Sequence, residues 1–242
     1  MNYLRLFKSR FALLLKGQQQ GVSLGWLSKS QERIDTTLEE AIGADSRLSP
    51  EMLNFIPEGI EKYKETVKTK SGKVTNTNWN SEANLSVFLY SYIRVFKPKV
   101  VVETGVANGI TTNVIMSALE ITGGELHSFD ILAASSGVYT GKGKWHFYLL
   151  SKQKAATQIK SHLGEIVKPE LWLHDSNHGS LWQEFEYKLA INSLKIGGLL
   201  ISDDIDASTA WGYLSKQFFI NPRAIFDKRK MIGYTFKNNE KS

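Results

Sequence analysis

From Ser81 onward, short apolar runs alternate with stretches whose apolar positions recur every three or four residues. The runs predict strands at Val100–Glu103, Glu125–Asp130, Trp145–Leu150, Leu171–Asp175 and Gly198–Asp203. Helices are predicted between them at Thr111–Glu120, Lys152–His162 and Leu181–Leu194. Before them, Ser81 stands where it can cap a helix through Leu85, Phe88, Leu89, Tyr92 and Val95 that stops ahead of Pro98. Near-continuous apolar strands alternating with helices imply a parallel sheet covered on both faces, the doubly wound α/β arrangement. After Asp206 the pattern gives one more helix and two strands, Ala224–Phe226 and Ile232–Phe236. Their short connector suits a hairpin, so the last strand should run antiparallel.

The first seventy residues read differently. Leu4, Phe7, Phe11, Leu14 and Leu15 fall on one stripe of a helix flanked by Arg5, Lys8 and Lys16. Ser49-Pro50-Glu51 has the order of an N-cap followed by proline, and Pro57-Glu58-Gly59 breaks or restarts the helix. The polar stretch Lys70–Asn80, with Gly72, marks a boundary: a helical N-terminal extension over 1–75, then the main domain over 76–242. Residues 1–33 hold six basic side chains against the single acid Glu32, so most of the net charge of +6 sits in this arm. The main body is therefore almost neutral, and no nucleic-acid partner is expected. The apolar stripe is expected to pack on its own domain or on a second subunit, making a homo-oligomer, with membrane contact by the arm as the less favoured alternative. With no cysteine, disulfides, thiolate metal sites and cysteine nucleophiles are excluded. No apolar run approaches the length of a bilayer span, and basic residues interrupt the only candidate leader, so a cytoplasmic protein is expected.

Two segments carry candidate chemistry. The run Val100–Gly109 reads as strand, glycine-bearing turn and helix start, where Gly105 allows a sharp turn and Gly109 lets a ligand approach backbone amides. Ala107 stands where a dinucleotide fingerprint needs its second glycine. Glu103 is expected to aim a carboxylate at the ligand, and Asp130, ending the next strand, can accept from both hydroxyls of a ribose. Further on, Asp175 ends one strand with His178 three residues later, and Asp203-Asp204 ends the next. Three carboxylates meeting at one sheet edge repel unless a cation or protons compensate them, and an oxygen-only set favours Mg²⁺ or another hard divalent cation. Asp206 is a weaker candidate ligand. The loop Ala133–Lys144, with Tyr139, is placed to cover a substrate.

The turn Glu103-x-Gly105-x-x-x-Gly109, with Asp130, resembles the first motif of the class I S-adenosylmethionine-dependent methyltransferases. The likeness covers about residues 81–237. It implies a seven-stranded, mostly parallel Rossmann-like sheet, with the glycine turn facing the methionine part of the cofactor and Asp130 holding its ribose. Ser151 falls where that family lines the adenine pocket, or else caps the following helix. Asp175-Ser176-Asn177-His178, then Leu194-Lys195-Ile196-Gly197-Gly198 and Asp203-Asp204, is similar to the metal-dependent O-methyltransferases, closest to the macrocin type. That resemblance makes Asp175, Asp203 and Asp204 metal ligands and His178 the general base. The acceptor it implies is a hydroxyl of a small molecule or of a sugar or glycan precursor. Ser176 departs from the glycine common there, and His174 occupies a usually apolar position. Two other readings stand beside this one: a metal-independent methyltransferase whose acids bind an amine, and a non-catalytic cofactor-binding partner protein.

Overall fold

The computed structural model describes residues 34–35, 37–215, 221–227 and 230–238. The predicted helix at Leu4–Leu15 and the basic arm lie outside them. In chain order the regular elements are β1 (Ile34–Asp35), α1 (Leu38–Ala44), α2 (Ile56–Lys70), α3 (Ala83–Phe96), β2 (Val100–Thr104) and α4 (Ile110–Thr122). There follow β3 (Glu125–Asp130), β4 (Lys144–Leu149), α5 (Ala155–Leu163), β5 (Leu171–His174) and α6 (Ser180–Ser193). The chain closes with β6 (Leu199–Ser202), α7 (Ala210–Ser215), β7 (Arg223–Asp227) and β8 (Lys230–Phe236).

The strands form one sheet in the order β1-β7-β8-β6-β5-β2-β3-β4, parallel except for β8, which pairs antiparallel with β6 and β7. The seven predicted strands are all present, and the hairpin that reverses the last one is β7–β8. The two-residue β1, which no run of apolar residues announced, adds an edge beside β7.

Side chains alternate across the sheet and explain why the strand text is apolar throughout. Val101, Leu171, Leu173, Leu199 and Ile201 enter the core under α1–α4, while Val102, Trp172 and Leu200 enter the core under α5–α7. Leu38, Ile42, Leu48 and Met52 share the first of these cores, so the described part of the N-terminal extension packs directly on the sheet. The helix after β2 therefore covers one face and the helix after β5 the other. Their divergence opens a crevice at the carboxyl ends of β2 and β5, where such sheets bind ligands.

The start of α3 departs from expectation. Ser81 bonds Ser86 Oγ at 3.1 Å and caps nothing. The free amides of Asn84 and Leu85 instead donate to the carboxylate of Asp227, at 3.2 and 2.9 Å, from the far hairpin. A charged acceptor outcompetes a local hydroxyl there, and it favours the positive end of the helix dipole. Among the described residues no helix is long and apolar enough to cross a membrane.

Candidate active site

The turn after β2 is built around two residues that no ordinary side chain could replace. Gly105 has φ of 87°, and a Cβ there would lie 2.0 Å from the carbonyl oxygen of Asp175. Gly109, at φ 74° ahead of α4, would place a Cβ 2.5 Å from Val138. Between them Ala107 takes the left-handed conformation at φ 47°, which costs a non-glycine residue energy. Asp130 offsets that cost: its Oδ2 accepts from the amides of Val106 (2.7 Å) and Ala107 (2.9 Å), and its Oδ1 from Leu132 (2.8 Å). Asp130 thus both shapes the turn and faces the crevice, where its carboxylate retains acceptor sites for a ligand hydroxyl.

Three predicted cofactor residues do not face the crevice: Gly109, whose missing side chain makes room for Val138 and not for a ligand, Glu103 and Ser151. Glu103 is fully buried beneath the turn, where Thr111, Thr112 and Ser128 each donate a hydroxyl to its carboxylate at 2.7 Å. A strand side chain on the α4 side points into the layer between sheet and helix, so it braces the helix start instead of meeting a ligand. Burial pushes its pKa up to about 7, even though the three hydroxyls pull it down. Ser151 is exposed and makes its own contacts with Gln153 and Gln158, neither lining the crevice nor capping α5, whose first turn begins at Ala155. Its neighbours Leu150 and Lys152 line the wall in its place. The loop after Leu132 also turns away: Tyr139 donates to Glu120 at 2.5 Å, anchoring the loop to α4.

The crevice holds about 490 Å³. One end is apolar, walled by Phe129, Ile131, Leu150, Ala155 and Ile159, and suits a flat aromatic group. The other end carries Asp175, His178, Asp204 and Lys230. Trp79, 63% exposed, and Trp182 also line the crevice. Asn108 holds Trp79 in place indirectly, since its Oδ1 accepts from the amides of Val74 (2.9 Å) and Thr75 (2.8 Å) and its Nδ2 donates to Asn80 (2.8 Å). Neither Asn108 nor the tryptophans stood out in the sequence.

The predicted acids meet at this edge, with one unforeseen partner. His178 Nε2 lies 3.4 Å from Asp204 Oδ2 and 3.9 Å from Asp175 Oδ1. Burial pushes the His178 pKa down to about 4 despite the pull of Asp204, so its imidazole is neutral at physiological pH. Lys230, from β8, is buried with its ammonium bonded to Asp203 and 3.6 Å from Asp204. Burial opposes that charge, yet Asp203, Asp175 and Asp204 together raise its pKa above the ordinary lysine value. One ammonium does not neutralise three carboxylates. Burial and mutual repulsion still drive Asp175 upward, and burial does the same to Asp203, against the pull of Lys230. Asp203 Oδ1 is buried without a hydrogen bond. Oxygen-only donors and the unpaired carboxylate oxygen of Asp203 fit a hard divalent cation, which would also hold these acids ionised. Asp203 itself is fully buried behind the crevice, and Asp206, the weaker candidate, is committed to the amide of Met231 at 3.0 Å. Among the described residues, the three side chains whose ligand atoms lie within 4.8 Å of one another are Glu125, His127 and His146, at the other end of β3.

No protein-family model matches this chain, and no curated protein matches it in sequence. Solved structures do match in fold. The S-adenosylhomocysteine-bound methyltransferase PaMTH1 of Podospora anserina superposes with a TM-score of 0.57 at 11% identity, over 79% of this chain and 89% of that one. An O-methyltransferase from Bacillus cereus, in complex with S-adenosylhomocysteine, gives 0.55 at 9% identity, over 84% and 98%. MycE, a methyltransferase of the mycinamycin pathway in complex with Mg and S-adenosylhomocysteine, gives 0.54 at 12% identity, over 78% of this chain and 54% of that one. The chain therefore has the fold of the class I methyltransferases that its glycine turn resembles.

Proposed function

We propose that this protein is an S-adenosylmethionine-dependent, Mg²⁺-dependent O-methyltransferase acting on a hydroxyl of a small molecule or sugar. One observation carries the reading: the glycine turn, Asp130 and the acid–histidine cluster open into a single crevice, with an apolar wall at the opposite end. In this reading the backbone of Gly105–Ala107 receives the amino-acid end of the cofactor, Asp130 accepts from its ribose, and Phe129, Leu150 and Ile159 enclose its adenine. The bound cofactor supplies an electrophilic methyl group, and a divalent cation held by Asp175, Asp203 and Asp204 would make an acceptor hydroxyl more acidic. His178, neutral and beside two of those acids, takes the acceptor proton on its imidazole. Trp79 and Trp182 exclude water and orient the acceptor, so that its oxygen and the methyl carbon are held close and in line. Residues 1–75 are read as an extension whose arm serves self-association, with the whole acting in the cytoplasm.

Lys230 favours a second reading, in which an internal ammonium does what the metal would do and transfer proceeds without it. Calorimetry with S-adenosylhomocysteine, followed by labelled methyl transfer to a panel of diols and glycosides with and without EDTA, separates the two. The first reading expects cofactor binding in either condition, turnover abolished by EDTA and restored by Mg²⁺. It also expects His178→Ala to slow transfer by about 10²–10⁴, less so at high pH where hydroxide substitutes for the base. Full turnover in EDTA that is lost in Lys230→Met would establish the second reading. A chain that binds no cofactor would remove both.

A further inference from the structure

The imidazoles of His127 and His146 sit side by side on β3 and β4, whose register pairs these two residues directly. Their rings are 4.5 Å apart between centroids and 14° from parallel. Glu125, two residues before His127 and therefore on the same face, reaches both: its Oε1 is 3.3 Å from His127 Nε2 and its Oε2 is 3.3 Å from His146 Nε2. The three ligand atoms thus converge on one point. His127 is 7% exposed at its side chain, and its Nε2 is buried without any hydrogen bond. Its other nitrogen, Nδ1, lies 3.0 Å from the hydroxyl of Tyr148, two residues beyond His146 on β4. Either nitrogen of His127 can carry the proton: as Nε2–H it points toward the Glu125 carboxylate, and as Nδ1–H donated to Tyr148 it leaves the Nε2 lone pair for a metal ion.

We propose that Glu125, His127 and His146 form a Zn²⁺ site, separate from the aspartates of the crevice. Two imidazole nitrogens and one carboxylate suit zinc, and the half-exposed His146 leaves the fourth position to water. Tyr148 supplies the outer hydrogen bond that fixes the ring and tautomer of a metal-bound histidine. Imidazole donors disfavour Mg²⁺, so the two sites select different ions. They are also apart: Glu125 opens β3 and Asp130 ends it, roughly 16 Å at about 3.3 Å per residue. The ion would clamp β4, the edge strand of the sheet, to β3. That strand runs on into Leu150 and Lys152 of the crevice wall, so the clamp stiffens one side of the cofactor site from its far end.

The test uses the full chain without an affinity tag, stripped of metal and held in excess Mg²⁺ to satisfy the aspartates. Titration with Zn²⁺ should then show one site per chain, and Co²⁺ in its place should give the visible absorption of a tetrahedral ion. His146→Gln, at a half-exposed position that the fold tolerates, should abolish the Co²⁺ spectrum, and Tyr148→Phe should weaken Zn²⁺ by about 10–100-fold. Asp204→Asn should leave both signals unchanged. No Zn²⁺ uptake in excess Mg²⁺ would overturn the proposal. So would uptake that survives His146→Gln, or that disappears with Asp204→Asn.

Discussion

Replacing Glu103 by glutamine isolates the electrostatic cost of the carboxyl group beneath the glycine turn. In the unfolded chain that group titrates near its ordinary value of 4.5; in the fold, burial moves it to about 7. Below pH 4.5 both states are protonated and Glu103 costs the fold nothing. Between the two values the unfolded chain has released its proton while the native chain retains it, so stability falls as pH rises. Above pH 7 both are ionised and the loss is complete. The interval from 4.5 to about 7, at about 1.36 kcal/mol per pH unit, amounts to about 3 kcal/mol. Glutamine keeps the shape and acceptor oxygen but cannot ionise, and the hydroxyls of Thr112 and Ser128 can rotate to accept from its amide. Urea unfolding of parent and variant from pH 4.5 to 8 should therefore show the variant gaining on the parent by about 3 kcal/mol, or roughly 6–12 °C in Tm for a chain of this size. Other titrating groups cancel in the difference. A constant offset between the two proteins across that range would refute a raised pKa at Glu103 and, with it, the account of this carboxylate as desolvated.

Asp227→Ala should cost about 1–2 kcal/mol in denaturant unfolding by uncapping α3, while Ser81→Ala should cost less; the reverse order would refute the long-range cap. Gly105→Ala should abolish S-adenosylhomocysteine binding in calorimetry, because its Cβ would meet Asp175 O at 2.0 Å, whereas Gly197→Ala, with nothing within 4 Å, should retain it. Lys230→Met should destabilise by about 3–5 kcal/mol by stranding a buried carboxylate, and adding Asp203→Asn should recover much of that loss; additive losses in the double variant would show that the pair is not coupled.

The parts of this molecule that were legible in its sequence are those written locally. The apolar runs of β2, β5 and β6 announce strands because burial on both faces leaves no polar positions to confuse the period. Gly105 could be picked out because a tight strand-to-helix turn needs a glycine, and the structure supplies the steric reason in the carbonyl of Asp175. Asp175, His178 and Asp204 were found through spacing and resemblance, and the sheet order brings them to one edge. What escaped depends on residues far apart in the chain. Lys230 lies in an ordinary hairpin until β8 inserts beside β6 and carries its ammonium to Asp203. Asn108 looks like a turn residue until residues 74–80 fold over it. Glu103 was misread because a sequence shows that a carboxylate ends a strand but not which side of the sheet it faces. At Ser151 the error was one of neighbours, since the wall is built by the residues on either side of it.

The β7–β8 hairpin gives the chain's order of synthesis a structural meaning. Asp227 completes the start of α3, and Lys230 compensates Asp203, which was made 27 residues earlier. Tyr234, from the same hairpin, bonds Asp45 beside α1 at 3.2 Å. A ribosome-bound chain that has emerged only as far as β6 therefore has every strand of the cofactor half, but it carries an uncapped helix and a carboxylate with no ammonium beside it. Closure of the last hairpin supplies both partners together, so the start of α3 and the acidic edge of the site are completed by one and the same event.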